Sequence, residues 1–244
     1  MRTRTLLMSL VLLAVAAVAC SDDGDSDTEA AAGAPPSADA GTLNPADFSS
    51  TVTHPLFPLS SVKSTEFAGR EHKDGRTSQI QVVSRLLDKT DTMAGVTVAV
   101  VEVTEHKDGQ LLELTEDYFA QHRDGTVWYF GERVTDYKDG KPVGHGGQWL
   151  AGEGENRPGL FMPATPTVGQ EFAPEQVPGV ADERSKVLEL GVEVTVPAGK
   201  FTDCVKIEDL DLLDNETGLK FYCPTVGLVR EEGSSGSSDL VRFA

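Results

Sequence analysis

Nowhere along the 244 residues do apolar side chains keep a helical period for three turns, which argues against a helix bundle or alternating α/β layers. No run is long and apolar enough to cross a bilayer as a finished helix. There is no Gly-x-Gly-x-x-Gly and no phosphate-binding loop, so nucleotide binding has no support. A serine nucleophile would lack its elbow motif. The five histidines never fall at the spacing of a metal-ligand pair. Basic residues are scarce: 21 Lys and Arg stand against 39 Asp and Glu, a formal net charge of −18. Such a surface repels phosphate backbones and anionic headgroups, which excludes nucleic acid as a partner. Acidity also keeps an exported domain soluble, so it does not by itself point to a cationic ligand.

What is present begins at the N-terminus. Arg2 and Arg4 precede an apolar run from Leu10 to Ala19, and Ser21-Asp22-Asp23-Gly24-Asp25 follows Cys20. A short basic region, an apolar core and small residues at the junction make an export signal over residues 1–19. The junction Ala17-Val18-Ala19-Cys20 resembles the lipobox of bacterial lipoproteins, with Ala17 where leucine is usual. That resemblance implies acylation (diacylglycerol and palmitate-type chains) of Cys20, hence a membrane anchor on the extracytoplasmic side of the cell envelope. More than one acyl chain is needed for stable residence, and the implied modification meets that need. The alternative is an ordinary secretory signal with an incidental cysteine at the cut.

Residues 20–43 read as an acidic, disordered tether. They contain no aromatic residue and no Lys or Arg, while Asp22, Asp23, Asp25, Asp27 and Glu29 repel one another. The cluster lacks the ligand spacing of a calcium loop. Residues 44–244 are expected to form a single antiparallel β domain. His54-Pro55-Leu56-Phe57-Pro58-Leu59 should run extended over its core. The chain then advances through Asp74-Gly75, Asp108-Gly109, Asp124-Gly125 and Asp139-Gly140, each a hairpin signal.

Between these turns lie runs rich in Val, Thr and aromatics. Candidate strands are 79–87, 96–104, 111–119, 126–130, 201–208, 219–223, 226–230 and 240–243. The alternation of Val96 to Val103 slips after Val100, which predicts a bulge. Leu188, Leu190, Val192, Val194 and Val196 fall on one face of a half-buried strand. Pro158 to Pro178 reads as irregular, and Pro178 to Lys186 as a short helix with Asp182, Glu183 and Arg184 exposed. The fold class is therefore mainly β: a curved antiparallel sheet, half-barrel or clam-like, with long loops and few short helices.

Three blocks carry a further resemblance: Asp124 to Glu132, Gly159 to Ala164, and Tyr222 to Glu231. In that order, behind a Pro-Leu-Phe-Pro-like opening, they are similar to a family of secreted and lipid-anchored bacterial proteins for which no activity is implied. The closing Pro-x-Val-Gly-Leu-Val block also resembles strands of half-barrel folds, which in some envelope lipoproteins hold acyl chains. The long helices lining the mouth of those carriers are lacking here.

Trp128, Tyr129 and Phe130 are consecutive on a strand, so Trp128 and Phe130 point one way and Tyr129 the other. Either Phe161 and Met162 cover them as a second core layer, or the five aromatic and apolar residues line a concave groove for an apolar or polymeric ligand. Carboxylates such as Glu113, Glu116 and Asp117 are abundant, but the sequence shows no burial that would make a catalytic pair. The expectation is a non-enzymatic extracytoplasmic lipoprotein that needs no cofactor or metal. It either binds such a ligand or, with a filled core, contacts an envelope protein. Cys204 and Cys223, in an oxidising compartment, should bridge a hairpin closed near Asp214-Asn215.

Replacing Cys20 by alanine should leave folding intact and abolish membrane retention, measured as the fraction of protein pelleting with membranes after a high-salt wash. Continued integral association of C20A would sink the anchor.

Overall fold

The computed structural model describes residues 43–244. The export signal, the lipidation site Cys20 and the tether up to residue 42 lie outside the described residues. Order opens with a 3-10 turn, Pro45–Asp47, capped by Asn44, whose side chain accepts a hydrogen bond from the Ala46 amide (3.2 Å). Everything after it is strand, turn and loop.

The first half contributes β1 (Phe48–Ser49), β2 (Ser64–Lys73), β3 (Arg76–Met93), β4 (Val96–Lys107), β5 (Gln110–His122), β6 (Val127–Lys138) and β7 (Lys141–Gly144). The second half contributes β8 (Trp149–Leu150), β9 (Gly159–Met162), β10 (Glu171–Val177), β11 (Ala181–Val196) and β12 (Gly199–Asp211). It ends with β13 (Glu216–Cys223), β14 (Gly227–Gly233) and β15 (Gly236–Phe243). All belong to one antiparallel sheet, twelve of them in the order β10-β11-β12-β13-β14-β15-β2-β3-β4-β5-β6-β7, with β1 paired to β5 and β8 and β9 to β6. Every step along it is a hairpin between sequence neighbours except β15 to β2, where Leu240 faces Phe67 and joins the two halves of the chain.

The hairpins follow from local chemistry. Asp74-Gly75, Asp108-Gly109 and Asp139-Gly140 each hold both residues at positive φ (50° and 72°, 51° and 79°, 51° and 73°). That is the two-residue turn whose twist matches its strands, and Asp-Gly is its favoured pair. Ala94-Gly95 adopts the same shape (48° and 80°) without the favoured first residue, so its sequence carries only half the signal.

The sheet is strongly curved and open. β8 and β9 pair with β6, and the far edge strand β10 comes up against β9 without a ladder between them. Gly159 makes that approach possible: a Cβ there would lie 1.8 Å from the Pro174 carbonyl oxygen. Pro174, with no N–H to donate, suits an edge that is met but not extended.

Four expectations need correction. The bulge near Val100 lies on the partner strand, where Leu86 to Thr90 spans the length that Val101 to Ala99 covers on β4. From Ala99 to Glu105, β4 pairs with β5 without a shift, and its alternation blurs because both of its faces are buried. The stretch 158–178 contains β9 and β10. Pro178 to Lys186 is a turn followed by the first third of β11, because hydrogen bonding to β10 and β12 overrides the local helical pattern. The period from Leu188 to Val196 is interrupted by three register shifts, one at Gly191 with φ 73°. Val194 and Val196 are buried as expected, whereas Leu190 is 43% exposed.

The cysteines meet as expected. Val205 faces Tyr222 across β12 and β13, and one step further the Cys204–Cys223 disulfide closes the pair with Cα atoms 4.1 Å apart. On the same outer face Lys206 lies over the Phe221 ring at 5.7 Å, so this face is covered and not bare. The bond spans 19 positions, and on the chain-entropy model a loop of this size stabilises the fold by about 3 kcal/mol. Peptide maps of non-reduced, natively exported protein should contain one linked fragment, and the double alanine variant should lose about that much in denaturant unfolding. Quantitative alkylation of both thiols without reductant would contradict the pairing.

Candidate functional site

Curvature gives the sheet an inside, and alternation decides what enters it. Along β4, β5 and β6 the inward rows read Ala99, Phe119, Tyr129, then Val101, Asp117, Glu132, then Val103, Thr115, Val134. A last inward row, Glu105, Glu113 and Asp136, sits near the Asp-Gly turns. One end of the interior is thus aromatic and the other acidic. The opposite wall repeats the gradient: Val205 faces Tyr222, Ile207 faces Lys220, and Asp209 faces Gly218.

Buried charge at the acidic end is organised around Lys220. Its Nζ lies 2.6 Å from Asp209 Oδ2 and 3.7 Å from Glu183 Oε1, and Glu231 stands directly across from it on β14. Ser185 donates to the other Asp209 oxygen. Burial opposes charge on Lys220, yet Asp209 and Glu183 hold its pKa well above the ordinary lysine value. Burial pushes the Glu183 carboxyl well up, against the pull of Lys220. Nearer the centre, the Tyr129 hydroxyl donates to Asp117 Oδ1 (2.7 Å) and Trp149 Nε1 donates to Glu175 Oε1 (2.7 Å). Asp117 is raised by burial, an effect that its Tyr129 bond opposes and the neighbouring Glu175 reinforces.

The aromatic end is closed by residues 52–62. Val52, His54, Leu56 and Val62 are buried there, and Phe57 packs on Phe119 and Phe161 with ring centroids 4.9 and 4.7 Å apart. Between this strap and the acidic layer remains a cavity of about 90 Å³. Phe57, Leu59, Phe67, Val101, Phe119 and Phe161 supply its apolar wall, while Asp117, Glu132, Glu175, Glu183 and Lys220 reach its polar side. The cavity is small against the several hundred Å³ usual for organic ligands.

The five residues singled out from sequence do not form one groove. Tyr129 and Phe161 line the cavity and share the cluster of Phe119, Trp149 and Tyr222. Trp128 pairs with Ala120, and Phe130, fully buried, packs edge-on against Phe48 at 5.7 Å; both belong to the outer face. Met162 is fully buried beside Val127 and does not reach the cavity. Cys20 lies outside the described residues. His54, in the stretch expected to run extended over the core, is 3% exposed. Its Nε2 hydrogen-bonds the Pro163 carbonyl (3.1 Å) and its Nδ1 accepts from the Leu56 amide (3.1 Å).

No motif marks Lys220, Asp209 or Glu175, and Phe57 stands out only as part of the Pro-Leu-Phe-Pro-like opening. Of these, Lys220 carries a usable signal, since it shares its parity with Tyr222 in the run Leu219 to Cys223, which is otherwise apolar. Glu183 was misplaced with the predicted helix. Among the described residues no group of three or more His, Cys, Asp or Glu is placed to hold a metal ion.

The fold and its interior define a curved, all-antiparallel β protein with a partly polar cavity that opens past Lys63 and Arg85. No family model matches the chain, and no curated protein matches it. A solved structure from Parabacteroides distasonis ATCC 8503, provisionally named a lipoprotein, is similar at 13% identity with a TM-score of 0.38. That likeness covers 78% of this chain and 98% of the other. A TM-score of that size establishes neither family nor function.

The buried acids dictate a pH dependence. Burial raises Glu113 to about 8, with Glu105, Asp136 and Asp117 adding to the shift, and raises Glu231 to about 8. Burial likewise raises Glu105 to about 7. In the unfolded chain these groups ionise near pH ~4.3. Their stabilisation of the neutral folded form is complete below that value and is lost as pH climbs towards 7–8, at about 1.4 kcal/mol per pH unit for each such group. Denaturant midpoints should therefore fall steadily from pH 5 towards pH 8. A flat or rising profile would contradict the buried neutral layer.

Proposed function

We propose that the chain is a non-enzymatic lipoprotein, held through Cys20 on the extracytoplasmic side of the envelope, that binds a small, largely apolar ligand inside its curved sheet. The observation that carries this is the cavity, apolar at the strap and lined on its other side by buried hydrogen-bonding groups. A ligand suited to it has an apolar body and one polar end. The volume of about 90 Å³ argues against a long acyl chain or a polymer, both of which would have to displace the strap. A non-catalytic role is supported by the engagement of the acids: Asp117 serves Tyr129, Glu175 serves Trp149, and Asp209 and Glu183 serve Lys220.

The small volume also favours a second role, a filled-core lipoprotein that contacts another envelope protein. The two separate in one experiment. Native mass spectrometry of protein purified from its own envelope should show an added small mass, removed by organic extraction with a fall in melting temperature. Val101→Phe, which fills the cavity at a cost of about 1–3 kcal/mol for overpacking, should fold without that mass. A clean unliganded mass, together with a melting temperature indifferent to extraction, would favour the filled core.

A further inference from the structure

We propose that residues 52–62 are a lid over the cavity and that His54 is its acid-released latch. The inference rests on the cavity being a binding site and assigns how that site opens.

Beyond its apolar packing, the segment is tied to the sheet by hydrogen bonds at few points. The Thr53 amide donates to Gln121 Oε1 (2.7 Å), His54 reaches the 163–164 backbone, and the Thr225 amide donates to the Pro55 carbonyl (2.8 Å). From Leu56 to Val62 the backbone bonds stay inside the segment: Phe57 to His54, Ser60 to Val52, and Ser61 and Val62 to Pro58. Pro55 and Pro58 stiffen it further. It is thus a self-contained cap whose inner surface, Phe57, Pro58, Leu59 and Val62, is cavity wall. Moving it as a unit breaks three hydrogen-bonded attachments, lifts Val52, Leu56 and Phe57 from the core and opens the aromatic end.

His54 is the one attachment that a proton can undo. Its Nδ1 accepts from the Leu56 amide, so it must be unprotonated there, and the proton of the neutral ring sits on Nε2 and donates to the Pro163 carbonyl. A second proton would turn Nδ1 towards an N–H donor and place a charge in a buried site. Burial accordingly lowers the ring's pKa, against the Ala164 and Pro163 carbonyls that favour the charged form. Neither residues 52–62 nor residues 163–169 carry another ionisable side chain. On the flanking β5–β6 turn His122 pairs with Asp124 (3.0 Å), and Arg123 pairs with Asp47 (3.1 Å).

The sign follows. An exposed His54, lid open, titrates near its ordinary value of 6.5; a closed one titrates lower. Closure is at full strength above that value and weakens as pH falls, by up to tenfold per pH unit for one proton. The interior carboxyls act in the opposite direction, strengthening the sheet on acidification. Local release is therefore separable from unfolding.

Hydrogen exchange by mass spectrometry, corrected for intrinsic rates, reads both. From pH 7.5 to 5.5 the wild-type peptide covering 52–62 should lose protection, by at most tenfold per unit below about 6.5, while β4 loses none. His54→Gln keeps an Nε2-like donor without the titration, and its lid should show no such slope. Equal pH response in lid and β4, a flat wild-type lid, or an unchanged slope in H54Q would overturn the latch. Should H54Q not fold, the wild-type ring titrated by carbon NMR replaces it: ring protonation without lid exposure overturns the latch, and coincident curves support it. A titrating lid on protein that never carries a ligand would defeat the binding role alone, and a bound ligand under a pH-indifferent lid would defeat the latch alone.

Discussion

The inside of the sheet depends on a single buried cation. Lys220 meets two carboxylates from one side, Asp209 on β12 and Glu183 on β11, and faces Glu231 of β14 on the other. Without it that wall would bring carboxyls together in a low-dielectric interior with nothing to offset their repulsion, and the curl of β11 to β14 would have no polar centre. Removing one partner of such a group leaves the other charge uncompensated, which is why buried pairs are costly to break even where they add little net stability. The excess of acids over Lys220 is accommodated by keeping several of them neutral.

From that centre the rest of the architecture follows as a gradient. Acids and hydroxyls occupy the inward positions near the Asp-Gly turns, and rings occupy those at the other end. Phe119 stacks on Tyr129, while Phe57 and Phe161 join by tilted and edge contacts, which is how aromatic groups pack when they cannot all stack. The cavity is the mismatch between the two halves. It lies where the ring cluster stops and the hydrogen-bonded carboxyls begin, and the strap seals it on the aromatic side. The open seam between β9 and β10, held close by Gly159, lets the sheet curl around this interior without completing a ladder.

What the sequence by itself determined is local. The Asp-Gly turns, the alternation of Leu219 to Cys223 and the valine-rich strands are decided by residues a few positions apart, through positive-φ tolerance and the two-residue period. They sufficed for an antiparallel, curved sheet and for the Cys204–Cys223 pair, because a hairpin's register is set by its own turn. Tertiary structure decided what needs distant partners. Glu183 lies in a stretch whose local pattern suits a short helix, and it became an inward strand residue only because β10 and β12 offered hydrogen bonds on both sides. Leu190, in phase with buried valines along the sequence, was turned outward by bulges that no local signal marks. His54 is buried because a loop more than a hundred residues away presents its carbonyls. An inward carboxyl and an outward one obey the same alternation, so only the closing of the curve could decide which acids went dry.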